Sequence, residues 1–142
     1  GLDIPLAAVG WSGWVRHKAR SRIIPLGYIP DEELAVAYSG ALALIFPSSY
    51  EGFGLPILEA MACGCPVITT RRASLPEVAG EAALYMEDPR NADELAGFLK
   101  RLCENQALAA DLRQKGSMQA KTFSWEKTAA ATFEAFEKAL DQ

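Results

Sequence analysis

The sequence holds a single histidine, His17, and only three cysteines among 142 residues. A lone histidine with no evident partner is assigned no catalysis. Cys63 and Cys65 flank Gly64 and Cys103 stands far off, a spacing that suits neither zinc ligands nor a disulfide framework. Small-residue packing in a reducing compartment is the expected role of the thiols. No apolar run approaches the roughly 18 residues of a membrane span, and no signal peptide is recognisable. The chain opens on Gly1-Leu2-Asp3 without a methionine, as expected of a piece of a longer protein. Positive charge is also in short supply: 14 Lys and Arg stand against 18 Asp and Glu, a net charge of −4. No sequence-wide field therefore draws in nucleic acid or anionic lipid. The local cluster Arg16–Arg22 reads as a solvated loop ahead of a phosphate contact. No Gly-x-Gly-x-x-Gly follows an apolar run, which argues against a dehydrogenase. Internal repeats, linkers and low-complexity segments are missing as well.

What remains is the composition of one soluble domain with a real core, half hydrophobic and 23% charged. Short apolar runs at Pro5–Val9, Arg22–Leu26, Ala41–Phe46, Pro66–Thr70 and Ala82–Met86 predict strands. Helical segments are predicted between and after them. One is capped by Asp31 and stopped at Gly40; others start at Leu55-Pro56, at Ser74, at Asn91, after Asn105 with Gly116 as a weak point, and at Ser124. Ser74-Leu75-Pro76-Glu77 predicts a capping box, which explains Glu77 by local structure. The stripe Leu95, Phe98, Leu99 and Leu102 predicts a buried face, and Trp125, Ala129, Phe133, Phe136 and Leu140 predict another on the last helix. Strands alternating with helices give the fold class α/β, a Rossmann-like doubly wound parallel sheet. Trp11-Ser12-Gly13-Trp14 reads as a loop packed over a sheet edge rather than a stacking platform. Arg71 and Arg72 end a strand on the ligand side of such a sheet, with solvated arginines the first expectation.

The densest information lies at residues 47–70, PSSYEGFGLPILEAMACGCPVITT. A strand opens into Pro47-Ser48-Ser49-Tyr50-Glu51, Gly52-Phe53-Gly54 turns into a short helix, and a second strand follows Gly64. Pro56 suits the first helical turn and Gly64 the left-handed position after the helix. The N–H groups of Gly54, Leu55 and Ile57 are expected to lack partners, so with the helix dipole they form an anion site. Glu59 lies one turn inside, a rise of roughly 6 Å beyond Leu55. A diphosphate at the helix start places a ribose near Glu59, whose carboxylate accepts from two adjacent hydroxyls. Glu51 then stands at the other end, near what the diphosphate carries. The plainer alternative is a buried βαβ unit using Gly and Pro for packing, with a solvated glutamate.

These residues resemble a family. Pro47-Ser48, Glu51-Gly-Phe-Gly-Leu-Pro-Ile-Leu-Glu59 and the run through Ala60-Met61-Ala62, Gly64 and Pro66-Val67-Ile68 are similar to the donor-binding domain of retaining glycosyltransferases of family 4, which have the GT-B fold. The resemblance extends more loosely over nearly the whole chain. It implies transfer of a sugar from a nucleotide-diphosphate sugar to an acceptor hydroxyl with retention. It implies Glu51 as the catalytic candidate, binding sugar hydroxyls and stabilising positive charge at the anomeric centre. The implied donor-binding residues are Glu59 at the ribose, backbone of Phe53, Gly54 and Leu55 at phosphate and sugar, and Gly27, Tyr28 and Ile29 under the base. Tyr28 either stacks on the base or simply packs. No metal and no cofactor are implied beyond the donor.

The family's donor domain begins with a strand, a glycine-arginine loop and a helix, none of which precedes Pro5. Residues 1–142 are therefore expected to be a partial nucleotide-sugar-binding domain, inactive alone, lacking that first strand and helix and the acceptor domain. Either self-association or a compensating rearrangement around residues 5–10 and 124–140 is expected. Ser74–Ala83 and the Gly-Trp loop look most like mannosyltransferases that use GDP-mannose. The full protein is expected in the cytoplasm, at the inner face of a membrane if it meets one. A glycosidase with paired carboxylates and a non-catalytic nucleotide-sugar-binding module are the rivals.

Overall fold

The computed structural model describes residues 3–10 and 22–140. The Trp11–Trp14 loop, His17 and the basic cluster apart from Arg22 lie outside them. In chain order the elements are β1 (Leu6–Val9), β2 (Ile23–Gly27), α1 (Asp31–Gly40), β3 (Leu44–Ile45), α2 (Leu55–Ala62) and β4 (Val67–Thr70), then α3 (Leu75–Ala79), β5 (Ala83–Met86), α4 (Ala92–Glu104), α5 (Gln106–Ala120) and α6 (Trp125–Leu140). All strand pairs are parallel, in the order β1-β2 in one sheet and β3-β4-β5 in another.

β4 is the centre of the packed part because both its faces are covered, as expected of a parallel strand read as a continuous apolar run. Side chains alternate across a strand. Val67 faces Ile57, Ala60 and Met61 of α2 with Leu75, Val78 and Ala79 of α3. Ile68 faces Met86, Leu102 of α4 and Leu112 of α5, with Leu95, Phe98 and Leu99 packed beside them. Each fully buried aliphatic contributes about 1.5–3 kcal/mol. The spacing 57, 60, 61 is the i, i+3, i+4 stripe of a helix face. Gly116 of α5 is not a weak point: a Cβ there would stand 3.1 Å from Cγ of Met61, so the glycine lets α5 close on α2.

β1 and β2 contrast with this. Leu6, Val9, Ile23, Ile24 and Leu26 are all exposed. Pro25 has no N–H for a ladder, which suits an edge strand, and the register slips beside it, from Ala8 opposite Pro25 to Val9 opposite Gly27. α6 likewise buries no residue, and Trp125, Phe133, Phe136 and Leu140 stand on its surface.

Three expected boundaries shift. Asp31 is the first helical residue rather than the cap, because the Pro30 carbonyl already accepts from Leu34 N–H at 2.9 Å. Gly40 ends α1 within the helix, and Ala41 turns extended after it. The strand expected over Ala41–Phe46 shrinks to Leu44–Ile45, paired among the described residues with β4 alone. Asn91 and Asn105 do cap α4 and α5, accepting from Asp93, Glu94 and Leu108 amides. Among the described residues no helix is long and apolar enough to cross a membrane.

Candidate functional site

The start of α2 is built around Gly54. Its φ is +102°, which glycine alone adopts without strain, and a Cβ there would stand 2.9 Å from Cδ2 of the fully buried Leu75. Gly54 caps the helix without a side chain, and Pro56 occupies the first turn. The Ile57 N–H, expected from sequence to lack a partner, instead donates to the Gly54 carbonyl at 3.0 Å. Among the described residues nothing accepts from the N–H of Gly54 or Leu55. Two unpartnered amides therefore remain at the positive end of the helix dipole. At the far end, Cys65 N–H returns to the Ala60 carbonyl and Gly64 N–H to the Met61 carbonyl, with Gly64 at φ +70°, a Schellman stop.

The loop leading into this turn is tied down by hydroxyls. Thr69 and Thr70, both fully buried on β4, donate to the carbonyls of Phe46 and Ser48. Ser74 shares its proton between the carbonyls of Glu51 and Phe53, at 3.0 and 2.9 Å. Ser74 therefore does not form a capping box: it makes no side-chain cap bond and sits in helical conformation. Its hydroxyl reaches back across 23 residues to the motif instead. The Phe53 carbonyl is consequently engaged by protein.

Beside α2 lies a cleft of about 590 Å³, walled by Leu55, Leu58 and Ala62 on one side and by Ala120, Phe123, Trp125 and Thr128 on the other. Phe53 closes one end, edge-on to Phe123 with ring centres 5.8 Å apart. Glu59 is the charged side chain among the described residues that line it. Tyr38, half-buried on the last turn of α1, lies near enough to Glu59 to feel its charge. Burial first, and then the Glu59 charge, pushes the Tyr38 phenol up to about 12.

The sequence-predicted residues are thus only partly gathered. Phe53, Gly54, Leu55 and Glu59 share the start of α2. Glu51 is partly buried one turn away and does not line the cleft, and no described side chain pairs with its carboxylate. Gly27 ends β2 at φ +65°, with Tyr28 86% exposed and Ile29 half-buried, and none of the three lines the cleft. Arg71 is not a free phosphate ligand, since its guanidinium lies over the Tyr85 ring at 4.1 Å. Among the described residues no three His, Cys, Asp or Glu side chains gather to hold a metal ion. Sequence reasoning missed Ser74 as a tether and Tyr38 as a neighbour of Glu59. Neither leaves a local signal, because each acts on a residue more than 20 positions away.

The family model for glycosyl transferases group 1 matches residues 16–119. The chain belongs to this family. Among its relatives, O-antigen chain mannosyltransferase B of Escherichia coli is 41% identical over 124 residues, which is 87% of this chain and 30% of that protein. The MMP alpha-(1->4)-mannosyltransferase of Mycolicibacterium hassiacum is 39% identical over 115 residues, 79% of this chain and 28% of that one. The group 1 chain thus spans about 30% of the length of such relatives. Among solved structures, sucrose-phosphate synthase of Thermosynechococcus elongatus superposes over 84% of this chain and 31% of its own, with TM-score 0.75 and 34% identity. Anabaena HepE, solved in complex with UDP-glucose, covers 94% of this chain and 41% of its own at TM-score 0.79. At 18% identity it carries the fold alone. The fold is the α/β architecture of GT-B glycosyltransferases, with parallel sheets.

Proposed function

We propose that this chain is the donor-binding part of a longer glycosyltransferase that moves a sugar, mannose from GDP-mannose, to an acceptor hydroxyl with retention at the anomeric carbon. The observation that carries the reading is the start of α2, with two unpartnered amides at its positive end and Glu59 one turn further on. The amides of Gly54 and Leu55 hold the diphosphate, and Glu59 accepts from the ribose hydroxyls. Backbone at 53–54 borders the sugar, Glu51 binds its hydroxyls, and Gly27, Tyr28 and Ile29 take the base. Helix dipole and basic groups balance the diphosphate without a metal. Mannosyltransferase relatives support the donor class. The open edges of β1 and β3 suit a further parallel strand of the longer protein that joins the two sheets.

The test separates the two carboxylates in the longer enzyme. Glu59→Gln removes charge-assisted bonds worth about 1.5–3 kcal/mol, so GDP affinity should fall roughly 10- to 150-fold by calorimetry. Glu51→Gln should leave GDP affinity intact and lower the transfer rate. Equal losses of GDP affinity in both variants would refute the division of roles, and no loss in Glu59→Gln would remove the ribose contact.

A further inference from the structure

The hydroxyl of Ser74 has one proton and two acceptors, the carbonyls of Glu51 and Phe53 at 3.0 and 2.9 Å. Thr69 and Thr70 secure the loop further upstream, at Phe46 and Ser48. Over residues 51–53, the turn itself, Ser74 is the group among the described residues that donates to backbone carbonyls. Its neighbour Leu75 meets the same turn by packing, with Cδ2 2.9 Å from where a Cβ of Gly54 would stand. Two consecutive residues therefore fix the turn, one through its carbonyls and the other through contact.

The step that brings Ser74 there is strained. Ala73 has φ +48°, and among the described residues it is the one residue other than glycine with positive φ. Its own Cβ disfavours that conformation. Ala73 is exposed, so burial of its methyl does not hold it there; the contacts that do follow at Ser74 and Leu75. Backbone strain of this kind gathers at ligand sites, where neighbouring contacts over-determine it.

The tether has a directional consequence. A trans peptide sets its C=O and N–H on opposite sides, and the described peptides are all trans. With the Phe53 carbonyl held towards Ser74, the N–H of the same peptide, that of Gly54, is directed away from it. Gly54 is buried, and no described group accepts from this N–H. A buried amide without a partner is uncommon, and a ligand oxygen would satisfy it.

We propose that Ser74 is a positioning residue for the donor site, its hydroxyl holding the Glu51 and Phe53 carbonyls so that the Gly54 N–H faces the donor diphosphate. The inference rests on the reading of the α2 start as the diphosphate site. Ser74 acts through the peptide between Phe53 and Gly54, not by contact with the donor.

The experiment compares a nucleoside diphosphate with the nucleoside it contains. Calorimetry on the longer enzyme finds which of GDP, UDP and ADP binds, and competition against it measures guanosine, uridine or adenosine to match. The wild type should bind the diphosphate more tightly. Ser74→Ala should weaken the diphosphate roughly two- to tenfold, the effect of one net hydrogen bond, and leave the nucleoside unchanged. Ser74→Cys keeps a side chain of similar shape but only a weak donor, so it should show the same split, and it reports if the alanine variant fails to fold. Equal weakening of both ligands, or weakening of neither, would show a packing role only and overturn the inference while leaving the diphosphate reading intact. A wild type that binds nucleoside and diphosphate equally, or binds neither, would instead overturn the diphosphate reading, and the Ser74 role with it.

Discussion

Two strands of similar composition meet different fates in this molecule. Val67-Ile68 on β4 is fully buried, whereas Ile23-Ile24 on β2 is 44% and 49% exposed. Both runs are aliphatic and both pair in parallel. The difference lies across their faces. β4 has helices on both sides, supplied by segments close in sequence, while among the described residues β1 and β2 pair with each other and their aliphatic side chains stay exposed. An apolar run therefore specifies a strand, but its core comes from whatever lies over it. The recognisable motif sits wholly on the packed side, where its geometry can be held.

The largest expected effect tests that asymmetry directly. Ile68→Ala removes a buried side chain between Met86, Leu102 and Leu112 and should cost about 2–5 kcal/mol in urea unfolding. Ile24→Ala should cost about 1 kcal/mol or less, because half of that side chain is already in water. In a longer protein that covers the faces of the pair, the Ile24 cost should rise towards the Ile68 value. Equal costs in the chain of 142 residues would break the comparison.

Two glycines extend it to the backbone. Gly27 and Gly54 both hold positive φ, but only Gly54 has a neighbour, Leu75, where a Cβ would go. Gly27→Ala should cost about 1–2 kcal/mol, the left-handed penalty alone. Gly54→Ala adds overpacking and should reach about 2–4 kcal/mol. Matching losses at the two sites would mean that Leu75 moves aside freely, and that the turn into α2 is less rigid than its packing implies.

These contrasts also mark where sequence reasoning could see. α2 and its ends were legible because Pro56 and Gly64 are local instructions: one fixes φ in the first turn, the other permits the left-handed stop. β4, the α4 stripe and the asparagine caps were legible for the same reason, since periodicity and capping act within a few residues. The separation of β1–β2 from the other sheet was not, because an aliphatic run reads as buried whether or not anything covers it. Gly116 looked like a break in α5 because the Met61 side chain it admits lies on another helix. The cleft was invisible for a related reason: Phe123 and Trp125 come to Leu55 and Glu59 from more than 60 residues away. Ser74 is the sharpest case. A serine three residues before a glutamate at a helix start has the same local signature whether it caps its own helix or reaches elsewhere.

Ser74 supplies the smallest and most pointed test, since it joins the motif loop to the packed half. If its hydroxyl capped α3, Ser74→Ala would loosen α3 and leave the loop alone. Its proton goes instead to the carbonyls of Glu51 and Phe53. Ser74→Ala should therefore cost about 0.5–1.5 kcal/mol, a single net hydrogen bond. Hydrogen exchange should quicken at the amides of residues 50–54, while protection of β4 falls only by the global loss of stability. Ser74→Thr, which keeps the hydroxyl, should restore most of the loop protection if the added methyl is tolerated beside the half-buried site. Faster exchange confined to α3 would return Ser74 to the role of a cap. Unchanged exchange at 50–54 would mean that Thr69 and Thr70, donating to Phe46 and Ser48 from β4, hold the loop without it.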